Sequence, residues 1–110
     1  MTLTKNDLAQ FTGTENYYNH HLGYRYTDGV KYLAEVGKCY WLLDAVFSHM
    51  RSEPFQIWTL EVKDSKAVLI MIEDTGQPEK VKQEIEFTDF PLESIKFYLI
   101  DKVLLLPSEY

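Results

Sequence analysis

One cysteine, five scattered glycines and no excess of basic charge narrow this 110-residue chain before any motif is sought. Cys39 stands alone, so no internal disulfide can form and nothing points to an oxidising compartment. Gly13, Gly23, Gly29, Gly37 and Gly76 are isolated, so no glycine-rich loop is present to cradle phosphate. HExxH, CxxC and EF-hand patterns are missing, which removes the usual spacings for a bound metal. No apolar run reaches the roughly 20 residues that span a bilayer, and no signal-peptide-like stretch opens the chain. With a net charge of −6, the chain lacks the basic surface that a phosphate backbone requires. These absences predict a cytoplasmic protein with no cofactor, no metal, no membrane contact and no nucleic-acid partner.

What is present is core material. The 45% hydrophobic and 15% aromatic content suffices to fold a single domain over 1–110, with a helical and loop half (1–52) and a β half (53–110). Charge divides along the same line. The first half carries five acidic and five basic side chains, the second twelve and six, so the second half holds the whole excess.

The most apolar stretch is Lys38–Arg51. Tyr40, Trp41, Leu42, Leu43, Ala45, Val46, Phe47 and Met50 leave only Asp44, Ser48 and Arg51 as a polar stripe at helical spacing, which predicts a central core helix. Before it, Thr4 and Asp7 read as a cap with Leu3 and Leu8 as a hydrophobic staple, for a helix ending near Phe11. Thr12–Tyr26 reads as a bent loop or short irregular hairpin. Thr27-Asp28-Gly29 is a turn able to cap a second helix through Val30, Leu33 and Ala34 to Val36, with Gly37 expected in the left-handed closing position.

After Pro54 the period becomes alternating. Strands are predicted at Phe55–Val62, at Ala67–Ile72 (continuously apolar, as if covered on both faces) and at Val81–Phe87 with one wet face. A last hairpin, Ile95–Ile100 with Val103–Leu106, turns on Asp101-Lys102. The class is α+β, with N-terminal helices packed on one face of an antiparallel meander of about five strands.

Four segments carry a resemblance: Phe11–Tyr18, Tyr26–Glu35, Tyr40–Ala45 and Leu104–Tyr110. Over these and nearly the whole chain, the sequence resembles an uncharacterised family of short bacterial, plasmid and phage proteins. The resemblance implies no activity and no catalytic residues. The family's occurrence on mobile elements implies accessory or anti-defence roles.

Candidate chemistry is sparse. Cys39 with His20, His21 or His49 as base and Asp28 or Asp44 as orienter would make a thiol triad, yet Cys39 adjoins Tyr40-Trp41 and reads as a buried structural cysteine. His20 and His21 with a carboxylate could hold a metal, but neighbours on an extended segment point to opposite sides. Glu84 and Glu86 share the wet side of one strand and read as a solvated face, as does Glu73-Asp74. Tyr17, Tyr18, His20, His21, Tyr24, Arg25 and Tyr26 form the stretch best suited to binding, because Tyr and Arg are enriched at interfaces. Packing of at least two of those rings on the core helix is the competing use. Two functions stay open. One is a non-catalytic protein-binding or regulatory accessory protein, with Glu84 and Glu86 in an acidic array for a basic protein partner such as a nucleic-acid-processing enzyme. The other is a small enzyme or ligand-binding domain with a pocket between the Tyr17–Tyr26 loop and the core helix, using His20 or His21 with Asp28.

Overall fold

The structure, a computed structural model, describes residues 3–110. Helix α1 (Lys5–Ala9) begins on a closed capping box: Asp7 N donates to Thr4 Oγ1 at 3.2 Å and Thr4 N to Asp7 Oδ2 at 2.9 Å. Leu3 and Leu8, on either side of the cap, are both buried. The segment after it is the irregular hairpin, β1 (Tyr17–Asn19) and β2 (Arg25–Thr27), joined by a tight turn. Thr27 then caps α2 (Asp28–Val36), which buries Val30, Leu33 and Ala34.

Gly37 is not left-handed. It sits at φ −80° and ψ −6°, and the positive φ falls on Lys38 at 52°. Close approach explains the glycine instead, since a Cβ there would lie 2.8 Å from the Leu33 carbonyl oxygen and 3.3 Å from Cys39 Sγ.

Helix α3 (Tyr40–Ser48) is shorter than the predicted Lys38–Arg51, because Met50 takes a φ of 50° and ends the turn. Leu42, Leu43, Val46 and Phe47 point inward, while Tyr40, Asp44 and Ser48 form the exposed stripe. Arg51 leaves the helix and pairs with Glu53.

The strands are β3 (Phe55–Lys63), β4 (Lys66–Ile72), β5 (Glu79–Ile85), β6 (Ser94–Ile100) and β7 (Val103–Leu105), with a 3-10 turn at Pro107–Glu109. They form one mixed sheet of seven strands in the order β1-β2-β7-β6-β3-β4-β5, which corrects the five-strand antiparallel meander. Two departures cause the difference. β6 does not lie beside β5; it crosses back to pair with β3, setting Trp58 opposite Phe97. That choice gives the apolar strand β3 two neighbours and leaves the charged β5 at the edge. The crossover is fastened by Thr88 N donating to the Ser65 carbonyl and Val62 N to the Glu93 carbonyl, both at 2.8 Å. In addition, β2 joins β7 in parallel, with Tyr26 beside Leu104, and so extends the sheet by the N-terminal hairpin.

One face of the sheet closes the core. Trp58, Leu60, Leu69, Met71, Phe97 and Leu104 are fully buried together with Val30, Leu33, Leu42, Leu43 and Phe47 of the helices. Among the described residues no layer covers the other face: on β4, Ala67, Leu69 and Met71 are buried whereas Val68, Ile70 and Ile72 are half-exposed. Among the described residues no helix is long and apolar enough to cross a membrane.

Candidate functional site

The first turn of α2 brings together two of the candidates, Asp28 and Tyr18. A helix start leaves its first N–H groups without intrahelical partners, and here three of them find side chains. Asp28 N donates to Thr14 Oγ1 at 2.9 Å, Gly29 N to Glu109 Oε2 at 3.1 Å and Val30 N to Thr27 Oγ1 at 3.4 Å. The Glu109 carboxylate also accepts from the Thr27 hydroxyl at 2.6 Å and from Leu106 N at 3.0 Å, both on Oε1. This placement demands Gly29, because a Cβ there would sit 2.7 Å from both Glu109 Oε1 and Leu106 Cδ1.

The Asp28 side chain makes a second clasp, facing the other way. Its Oδ2 accepts from Glu15 N at 3.0 Å and Asn16 N at 3.3 Å, and its Oδ1 from the Tyr18 hydroxyl at 2.8 Å. The Glu15 N–H and then the Tyr18 hydroxyl hold its carboxyl down at about 2, and the same bond raises Tyr18. A carboxylate so stabilised is a weak general base. It is also not paired with His20 or His21.

Those histidines meet Asp44 instead. The chain turns after Asn19, with Gly23 N donating to the His20 carbonyl at 3.0 Å and Gly23 at φ +90°. The turn swings both rings to one side, where they stack at 4.2 Å. Opposite pointing belongs to an extended strand, and the strand has ended, so that expectation is corrected. His20 Nε2 lies 2.6 Å from Asp44 Oδ1, and His20 Nδ1 accepts from Leu22 N at 3.1 Å. An N–H aimed at Nδ1 fixes the proton on Nε2, which donates to Asp44. Candidate ligand atoms of His20, His21 and Asp44 lie within 4.8 Å of one another. In this tautomer, however, His20 has no free lone pair for a metal or for a substrate proton. Its ring also meets Phe47 edge-on at 4.7 Å, and Tyr24 stacks flat on Phe47 at 4.7 Å. The trio therefore works as a joint that ties the β1–β2 turn to α3.

A family described as being of unknown function, DUF6876, matches residues 2–110. The chain belongs to this family. No curated protein and no solved structure matches the chain. Three of the four segments that carried the resemblance supply Thr14, Asn16, Tyr18, Thr27, Asp28, Gly29 and Glu109, the residues of the two clasps. In this member of the family those residues build the fold.

The remaining candidates are dispersed. Cys39 is fully buried, burial pushes its thiol up to about 12, and its Sγ donates to the Leu33 carbonyl at 3.5 Å. His49 bonds Gln83 at 2.8 Å and leans on Trp58, so the thiol triad is not assembled. In the tyrosine stretch, Tyr24 is 5% exposed, Tyr18 and Tyr26 stack on each other at 5.7 Å, and Lys31 lies over the Tyr18 ring at 4.4 Å. Tyr17, His21 and Arg25 are exposed, with Arg25 over the Tyr17 ring at 5.3 Å. Glu84 and Glu86 are exposed, but Lys82 shares the side of Glu84 on β5 and Lys80 is exposed as well, so that row is of mixed sign.

The rings of His20, Tyr24 and Phe47 fill the place where a pocket between the hairpin and α3 was expected. A concave surface of about 790 Å³ lies elsewhere, between residues 10–16 and α2, with Phe11, Asp28, Lys31, Tyr32 and Glu35 in its lining. Of its charged groups, Lys31 pairs with Glu35 at 3.5 Å and Asp28 is held by the Glu15 and Asn16 N–H groups and the Tyr18 hydroxyl. Sequence reasoning missed Glu109 and Thr14, whose partners are far along the chain. The unbroken Ala67–Ile72 run suggested a strand covered on both faces, and this is corrected: Val68, Ile70 and Ile72 stay half-exposed on the outer face.

Proposed function

We propose that this chain is a non-catalytic protein-binding protein, of the accessory kind carried by mobile elements, that docks a basic protein partner on the outer face of its sheet. The observation that supports this is the face itself. Phe55, Tyr98 and Tyr110 form a ring cluster with centroids 5.3 to 6.2 Å apart, Tyr110 being 75% exposed. Ile70, Ile72, Ile100, Val103 and Leu105 continue the apolar surface, each half-exposed. Thr59, Glu61, Ser94 and Lys96 share this face, so the apolar surface lies toward the β6–β7 turn, over Phe55, Ile72, Tyr98, Ile100, Val103 and Leu105, with Ile70 at its border. Contiguous exposed apolar patches on a single chain are often functional.

Charge supports the choice of partner. Exposed carboxylates cluster at the two ends of the strands, Asp64, Glu86, Asp89 and Glu93 at one end and Glu73, Asp74, Glu79 and Asp101 at the other. At each end they outnumber the lysines. An apolar patch on a face bordered by these carboxylates suits a partner with an apolar patch flanked by Lys and Arg, and the charges would speed encounter. An enzyme that grips nucleic acid in a basic groove has that chemistry. The test is to isolate a partner from host lysate, purify it and measure its affinity for wild type and Ile70→Glu. The docking reading predicts a basic partner whose binding weakens at least about tenfold in the variant, or about 1.4 kcal/mol, with the thermal midpoint lowered by no more than a few degrees. Equal affinity for both proteins contradicts it.

A further inference from the structure

Strand β5 is an edge of the sheet, and β4 is its one neighbour. It runs seven residues, Glu79–Ile85, without proline; past a register shift opposite Met71 and Ile72, a regular row of backbone N–H and C=O groups faces outward from Val81 to Ile85. Proteins keep such edges short, charged or covered. This one is long, and its charges are ordered in a particular way.

Lys82 and Glu84 are exposed on one side of the strand, with Val81, Gln83 and Ile85 half-buried on the other; Lys80, at the register shift, and Glu86, just past the strand, are exposed as well. The order Lys, Lys, Glu, Glu reverses in sign about Gln83. Place a second copy antiparallel, with Gln83 opposite Gln83, and Lys82 faces Glu84, with Lys80 and Glu86 brought near each other beyond them. A two-fold axis repeats the Lys82–Glu84 contact, giving two opposite-charge pairs within the strands and a Lys80–Glu86 approach at each end. On the other side Val81 faces Ile85, again twice. Directly opposed residues in an antiparallel pair have Cβ atoms about 4.5–5.5 Å apart, within reach of ion pairing.

The alternatives are worse. Centring the pair on residue 82 sets Lys82 against Lys82, and centring it on 84 sets Glu84 against Glu84. A parallel in-register stack opposes like charges at every position. The pattern therefore disfavours open stacking and admits one closed arrangement. The opposite edge of the sheet, β1, offers only three residues, too short to carry growth further.

We infer that β5 is where a second copy of this chain joins, edge to edge, so that two sheets become one. The two-fold stands perpendicular to the sheet, which keeps both helix layers on one side and merges the two outer faces on the other. The inference goes beyond the docking reading and stands without it, because it rests on the edge and not on the apolar face.

The experiment is sedimentation of the full chain from micromolar to millimolar concentration, at low salt. Wild type is compared with Lys82→Glu, Glu84→Lys and the double variant Lys82→Glu/Glu84→Lys, after circular dichroism has confirmed the fold of each. The expected result is a concentration-dependent dimer in wild type, weakened about tenfold or more by each single reversal. The double variant restores the dimer, since the exchanged charges again oppose each other. A wild type that stays monomeric throughout overturns the inference. So does a dimer that the single reversals leave intact, or one that the double variant fails to restore.

Discussion

Two regions of this molecule treat their side chains in opposite ways. Around the first turn of α2, the carboxylates of Asp28 and Glu109 accept from backbone and hydroxyl groups drawn from distant parts of the chain. On the outer face of the sheet, isoleucines and aromatic rings are left half-exposed, with no layer of the described residues over them. The lesson is that residue type misleads about function in a small fold. Asp, His and Tyr, the residues one associates with chemistry, are used here to close loops and fasten termini. The face left unfinished is made of residues that suggest only packing.

The largest expected effect sharpens that contrast. Leu43→Ala or Trp58→Ala, in the fully buried core, should cost about 2–5 kcal/mol in a denaturant titration. Ile70→Ala, on the open face, should cost about 1 kcal/mol or less, because its side chain is already partly in water. Equal costs would mean that the outer face is a second core and not a docking surface.

Breaking the Glu109 clasp comes next. Glu109→Ala leaves Gly29 N, the Thr27 hydroxyl and Leu106 N without their acceptor, and should cost about 1–3 kcal/mol. Gly29→Ala should destabilise by driving the same carboxylate out of place. A C-terminus that frays without changing the unfolding midpoint would remove the clasp from the account.

The Asp28 clasp predicts a pH effect whose sign follows from its lowered pKa. An ordinary carboxyl near 3.8 is held at about 2 in the fold. Its stabilisation is therefore complete above about pH 4 and is lost as pH falls toward 2. Tyr18, raised by the same bond, contributes stability that is lost as pH climbs past 10. Asp28→Asn should flatten both limbs of the stability–pH curve. The smallest effect concerns Cys39. With its thiol held at about 12, native labelling by a thiol reagent should be slow and should accelerate on unfolding. Rapid native labelling at neutral pH would reopen the nucleophile reading.

What the sequence disclosed was local. The caps at Thr4 and Thr27 involve residues three positions apart. The turns at Asp64-Ser65 and Asp101-Lys102, with φ between 49° and 67°, each open on an Asp, a short polar residue that tolerates such angles. Strand order stayed hidden because alternation marks which face a residue takes, not which strand lies beside it. Nothing in Ile95–Ile100 says that it pairs with β3 and not with β5. The parallel joining of β2 to β7 and the reach of Glu109 to Gly29 are likewise decided by closure of the whole chain. The histidine parity failed for a local reason, since β1 ends at Asn19 and both histidines fall in the turn that follows.

The most direct measurement sets one residue of each region against the other in a single binding assay with the purified partner. Ile70→Glu and Asp28→Asn are compared with wild type, well below the unfolding transition of all three proteins. The account predicts that Ile70→Glu loses at least about tenfold in affinity with a thermal midpoint within a few degrees of wild type, whereas Asp28→Asn loses stability and binds as wild type does. The reverse pattern, affinity lost at the clasp and retained on the open face, would contradict it.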